Sequence, residues 1–172
     1  MSNEGPQYSA IYLSALGPMR MTASEHGLLS LDFDAGENEA SGANPVLEKC
    51  RKQLDEYFAG TRKIFELTYD LKGTDFQIQV WNELLNVPFG ETVSYLHIAN
   101  ALGDPNSTRA VGNANGKNPI PVIIPCHRII GSSGNLVGYS GGLHRKKWLL
   151  EFERNLTVPD LFNASLNEAA HE

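Results

Sequence analysis

Pro119-Ile120-Pro121-Val122-Ile123-Ile124-Pro125-Cys126-His127-Arg128-Ile129-Ile130 is the stretch around which the chain is organised. An apolar run framed by prolines is a short buried segment that must stop abruptly. Pro125 fixes its own φ and donates no backbone hydrogen bond, so the chain enters Cys126 at a set angle. A thiol is thus delivered beside an imidazole and a guanidinium. A lone cysteine in such a run is more often inert core, because free cysteine is among the most buried residue types. With Pro125, His127 and Arg128 around it, the pattern favours a nucleophile.

The 172 residues, 41% of them hydrophobic, suffice for one large domain or two small ones. Nothing approaches the roughly 20 successive apolar residues of a membrane span, and no basic segment followed by an apolar one opens the chain, so neither a membrane nor a secretory signal is expected. Cys50 and Cys126 form no disulfide framework and no C-x-x-C pair, which predicts a reducing, cytoplasmic setting. The net charge of −6 excludes a protein that is basic throughout. Its distribution is uneven: residues 90–148 carry six basic and two acidic side chains, the first 73 seven basic and eleven acidic. A basic stretch in an acidic chain suggests a local anionic partner, nucleic acid foremost.

Upstream, alternation predicts strands over Tyr8–Ser14, Met19–Ala23 and Leu28–Phe33, with turns at Gly17-Pro18 and His26-Gly27. Residues 34–44 are acidic and small, an expected exposed loop. From Pro45 to Phe58, Val46, Leu47, Cys50, Leu54, Tyr57 and Phe58 share one helical face, ended by Gly60. Ile64–Leu71 reads as another strand, and Lys72-Gly73 as a hinge. Thr74 and Gln77 fit a capping box opening a helix to about Asn86. Ser94 can cap a helix carrying Ile98, Ala99 and Leu102. After Gly103-Asp104-Pro105 a second helix runs to about Asn115, the outline of a helix-turn-helix. That second helix holds Ala110, Gly112 and Ala114, although an interior glycine costs about 1 kcal/mol against alanine. Small residues there suit either a narrow minor groove or close helix packing. Downstream, the glycine-rich residues 131–142 can bring backbone N–H groups near a ligand. A last helix is expected from Leu143 to Arg154, then a polar tail from Asn155.

Pro125-Cys126-His127-Arg128 resembles the active-site signature of the O6-alkylguanine-DNA alkyltransferases, also called methylated-DNA–protein-cysteine methyltransferases. The resemblance continues in order through Gly90-Glu91-Thr92-Val93-Ser94-Tyr95, Arg109-Ala110-Val111-Gly112, Asn118-Pro119, Tyr139-Ser140-Gly141-Gly142 and Trp148-Leu149-Leu150 with Glu153. It covers most of residues 74–154. It implies an α+β fold: a ribonuclease-H-like α/β module with an antiparallel sheet over residues 1–72, a mostly helical DNA-binding and transfer domain over 73–154, and a tail over 155–172. It implies direct, irreversible, single-turnover transfer of an alkyl group from O6-alkylguanine, and in some cases O4-alkylthymine, to Cys126.

The same resemblance assigns roles. His127 acts on Cys126 through a water, and Glu153 orients the imidazole. Tyr95, Asn118, Tyr139 and Ser140 serve the substrate, with Asn118 bracing the turn and the Tyr95 hydroxyl and Ser140 N–H contacting guanine. Ser94, Arg109, Ala110, Gly112, Asn113, Asn115 and Arg128 are the expected DNA contacts. Arg109 fills the space of a base flipped out of the duplex, while the small helix face lies in the minor groove. Asn113 stands where the family usually has alanine or glycine. The partner is double-stranded DNA containing O6-alkylguanine, the protein is expected to be a monomer, and no metal or other cofactor is needed because the protein is the acceptor. A damage-binding protein without transfer is disfavoured by Cys126, since such relatives carry another residue there. A cysteine hydrolase leaves Arg109 and Tyr95 without a role.

Overall fold

Residues 8–33 form an antiparallel meander of β1 (Tyr8–Ser14), β2 (Gly17–Ala23) and β3 (Leu28–Phe33), ordered β1-β2-β3, with burial alternating along the central strand β2. In the computed structural model, residues 4–33, 35–36 and 42–158 are described. Ser14 stands opposite Gly17 across a two-residue turn, and Gly17 takes φ 102°, a conformation that glycine adopts without Cβ strain. Met19, Met21, Leu28 and Leu31 are wholly buried.

The helix α1 (Pro45–Phe58) packs on β1 and β2 and has the expected bounds. Asn44 caps it, its side-chain oxygen accepting from the N–H groups of Val46 and Leu47 at 2.8 and 3.2 Å. Its buried face is Leu47, Cys50, Gln53, Leu54 and Tyr57. The middle of the expected acidic loop, residues 37–41, lies outside the described residues, as does Asp34.

No strand forms over Ile64–Leu71. The segment makes a single parallel bridge, Tyr69 with Leu28. The Gln53 side chain takes both backbone groups of Glu66 instead, accepting from its N–H at 2.8 Å and donating to its carbonyl at 3.1 Å. Arg62 donates to the Ile64 carbonyl at 2.8 Å. The edge of β3 is shared: Leu28 pairs with residues 68 and 70, whereas the Leu31 N–H donates to the Pro119 carbonyl at 2.9 Å. The apolar alternation of 64–71 therefore records an extended chain lying along a sheet edge, not a ladder.

The second part begins with α2 (Asp75–Leu84), whose capping box has both halves: Thr74 Oγ1 accepts from the Gln77 N–H and Gln77 Oε1 from the Thr74 N–H. It stops one turn-fraction short of the expected Asn86. Next come α3 (Tyr95–Ala101), capped by the Ser94 hydroxyl oxygen, a 3₁₀ turn over Pro105–Ser107, and α4 (Thr108–Gly116). The Trp81 indole N–H donates to the Ala114 carbonyl at 2.8 Å, fastening α2 to α4. A short parallel pair not foreseen from the sequence, β4 (Val93–Ser94) with β5 (Ile129–Ile130), ties the approach to α3 to the exit from the cysteine turn.

The final helix α5 (Leu143–Thr157) runs beyond Arg154, so the first residues of the expected tail are helical. Leu156 packs over Gly60 and Thr157 against Gly90, contacts that hold the last turn. Residues 159–172 of that tail lie outside the described residues. Across the seam between the two parts, Arg145 donates to the Leu16 carbonyl at 3.0 Å and sits over the Phe33 ring at 4.6 Å. Among the described residues no helix is long and apolar enough to cross a membrane.

Candidate active site

The cysteine turn is built from within by Asn118. Its amide donates to the Ile124 carbonyl at 2.8 Å and its oxygen accepts from the Ile120 N–H at 2.9 Å. Between these anchors the chain reverses through Val122 at φ 72°, a left-handed conformation that strains a β-branched residue by roughly 1–3 kcal/mol. Pro125 follows at φ −82°, ψ 62°, and the Cys126 N–H bonds back to the Ile124 carbonyl at 2.8 Å. This is an inverse γ-turn. A 3₁₀ turn, Cys126–Arg128, then points three functional side chains inward.

Cys126 is 2% exposed. Burial pushes its thiol up to about 11, opposed by the Asn118 side chain and the Lys146 charge, so the sulfur is protonated at rest. His127 is wholly buried, and burial lowers its pKa while Glu153 raises it in part. Its Nε2 lies 3.0 Å from Glu153 Oε1. An ionised carboxylate can only accept, so Nε2 carries the proton and Nδ1 is the lone-pair nitrogen. Nδ1 is buried with no hydrogen-bond partner in the protein. Burial alone would raise Glu153, but hydrogen bonds and charge from His127 and Arg128 outweigh it and hold the carboxyl at about 2.

Arg128 corrects the sequence reading. Expected on DNA, it is 6% exposed, with Nε and Nη2 on the Glu153 carboxylate at 2.6–3.1 Å and Nη1 on the Val87 carbonyl at 2.7 Å. The isoleucines that follow it gave the only sign of burial. Lys146 is also wholly buried, donating to the carbonyls of Ile129 and Val137 at 2.6 and 2.8 Å. Two of the six cations counted over residues 90–148 are therefore internal, and the outward positive charge is smaller than the sequence suggested. Lys146 and Tyr57, whose hydroxyl lies 3.1 Å from Glu153 Oε1, were not anticipated at the site. Tyr57 looked like one more apolar position of α1.

Tyr95 opens α3 half-buried, its ring beside Gly112 of α4, where an added Cβ would stand 3.8 Å away. Burial and the neighbouring Cys126 raise its phenol, so it keeps its proton. Tyr139 stands edge-on to Phe33 with its hydroxyl buried and unpartnered in the protein. Ser140, with Asn118, Lys117 and β3 residues, borders a cavity of about 390 Å³. A larger apolar cavity of about 580 Å³ lies behind the turn against Pro125 and Arg128, but Cys126, Tyr95 and Ser140 are not in its wall. On α4, Arg109, Ala110 and Asn113 face outward and Gly112 is half-buried, while Val111, Ala114 and Asn115 face the core. Asn115 is 4% exposed, so its side chain cannot reach DNA from this position. Ser94 is committed to capping α3.

Residues 75–155 match the family described as 6-O-methylguanine DNA methyltransferase, DNA binding domain, and residues 7–71 the ribonuclease-like domain of the same proteins. A methylated-DNA–protein-cysteine methyltransferase of Mycobacterium tuberculosis is 55% identical over 109 residues, which span 63% of this chain and 66% of that relative. One from Methanosarcina acetivorans is 41% identical over 152 residues, covering 85% of this chain and 97% of the relative. The crystal structure of Mycobacterium tuberculosis OGT in complex with DNA superposes with a TM-score of 0.77 at 42% identity, covering 88% of this chain and 95% of that one. The chain belongs to the 6-O-methylguanine DNA methyltransferase family.

Proposed function

We propose that this protein repairs DNA by moving an alkyl group from guanine O6 to Cys126, once per molecule. The observation that carries the reading is a buried thiol on a braced turn, preceding a His127–Glu153 pair whose free nitrogen is Nδ1. A water between Sγ and Nδ1 relays the thiol proton to His127. Sulfur attacks the alkyl carbon in line, the C–S bond forms as the C–O6 bond breaks, and the electron pair stays on the base. The Tyr95 hydroxyl gives its proton to the departing base, which becomes neutral guanine, and the proton taken up by His127 makes good the Tyr95 proton through solvent. Sγ remains alkylated, so no cofactor is consumed or required.

An in-stack base cannot present its alkyl carbon to a thiol this enclosed, so the nucleotide must be flipped. The outward face of α4, Arg109, Ala110, Gly112 and Asn113, suits a minor groove, with Arg109 as the side chain that replaces the base. Ser140 and Tyr139 border the seat of the base. The chain divides at Lys72-Gly73 into a supporting module and a transfer domain, and acts as a monomer in the cytoplasm. The direct test is incubation with duplex DNA carrying O6-methylguanine, followed by mass analysis of the Cys126 peptide. One methyl per protein on that peptide is the expected result. Sustained turnover, or binding without an adduct, would overturn it.

A further inference from the structure

The Glu153 carboxylate receives donors from two different parts of the molecule. From its own part come His127 Nε2 and the Arg128 guanidinium; from α1 of the N-terminal part comes the Tyr57 hydroxyl, at 3.1 Å from Oε1. We infer that Tyr57 is a positioning residue for alkyl transfer, reaching across the seam to set the orientation and basicity of Glu153 and, through it, the proton affinity of His127. The inference rests on the Cys126–His127–Glu153 reading above.

Three observations support it. The Tyr57 ring is locked, wholly buried among Phe58, Phe65, Phe89 and Phe152 at centroid distances of 5.1–6.0 Å. Its hydroxyl therefore points at one place without further ordering. Second, Oε1 accepts from Tyr57, His127 and Arg128 together, so the donor from Tyr57 takes up part of the charge that would otherwise fall on the imidazole. Third, burial raises the Tyr57 phenol well above its ordinary range, so it stays a donor wherever the protein is folded. The other ionisable or charged groups around this pair are Arg128 from the cysteine turn, Lys146 on α5, Cys126, and Tyr139 with Arg145 behind it. Removing one phenolic oxygen leaves all of these side chains in place; Tyr57 is one of the groups that raise the Tyr139 phenol, but burial comes first there and keeps that phenol protonated.

Tyr57→Phe keeps the ring and deletes the donor. Glu153 then holds a charge less dispersed, and favours the imidazolium more. The acid limb of the alkyl-transfer rate should move to higher pH by about half a unit or more, and the imidazole ¹⁵N titration of His127 should move the same way in protein without DNA. Binding of methylated duplex should stay within about twofold, since Tyr57 is wholly buried and the change keeps its ring. If both pH curves of Tyr57→Phe overlay the native ones, Tyr57 is only a core residue and the inference falls. His127→Ala separates the two readings. Unchanged transfer in that variant removes the underlying mechanism, whereas a large loss beside a silent Tyr57→Phe removes the positioning role alone.

Discussion

Replacing Arg128 by methionine keeps the length of the side chain and removes the charge that neutralises Glu153. The size of the effect can be worked from the carboxyl. Glu153 is held at about 2 against an ordinary 4.5, a difference of about 2.5 units, or about 3 kcal/mol at 1.36 kcal/mol per unit. Arg128 and His127 share that stabilisation. Deleting one partner of a buried pair generally costs about 3–5 kcal/mol, because an unpaired charge stays in the interior, and here the Val87 carbonyl also loses its donor. The variant should therefore lose about 3–5 kcal/mol at pH 7, read as a lower denaturant midpoint at unchanged slope. The sign with pH follows from the depressed carboxyl. Its stabilisation is complete above about 4.5, the unfolded value, and is lost as pH falls toward 2. The penalty at pH 3 should thus be smaller than at pH 7, since Glu153 in the variant can accept a proton. Combining Arg128→Met with Glu153→Gln should recover at least about 2 kcal/mol relative to the sum of the single losses. A loss below about 1 kcal/mol at pH 7, or equal penalties at both pH values, would refute the argument.

Cys126→Ser should bind methylated duplex with near-native affinity and form no alkyl adduct, measured by gel shift and peptide mass; loss of binding as well would mark the thiol as structural. Arg109→Ala should slow repair of duplex DNA about tenfold or more while leaving reaction with free O6-benzylguanine nearly unchanged, and equal slowing of both would remove the wedge role. Asn118→Ala strips both braces from the cysteine turn, so transfer should fall at least tenfold and stability by about 2–3 kcal/mol, one buried bond to each side; a stable variant with native rate would show that the turn holds itself.

Local chemistry made much of this structure readable. The Thr74–Gln77 box, the Pro45 start of α1 and the helix pair around Gly103 are signals carried by a few neighbouring residues, and each element formed where those residues stand. What was not readable depends on partners distant in the chain. Residues 64–71 have a strand's alternation, but Gln53 occupies the backbone groups of Glu66 that a neighbouring strand would have needed. Arg128 was expected on DNA, but Glu153, 25 positions away, and Val87, 41 away, hold it inside. Tyr57 carried no polar signal because its partner lies 96 positions downstream. Asn115 falls on the inward face of α4 with Val111 and Ala114, a difference that helix registration decides and composition does not.

The buried charges also explain how a thiol held at about 11 can serve as a nucleophile. On the proposed reading, the proton moves from Sγ to His127 without changing the net charge of the site. It creates an anion at sulfur and a cation at the imidazole. The Lys146 charge already favours an anion at the sulfur, and the Glu153 carboxylate already faces Nε2. The new dipole therefore forms between two fixed charges of the opposite sense, in an interior where water does not screen them. Lys146 is anchored by two carbonyls and Glu153 by Arg128 and Tyr57, so neither has to reorganise as the proton moves. Burial, against the pull of Lys146, keeps the resting sulfur protonated and almost closed to solvent, where oxidants find little thiolate. On the same reading, reactivity is deferred until an alkyl carbon is in place to capture the thiolate as it forms, as the proposed single transfer to Cys126 requires.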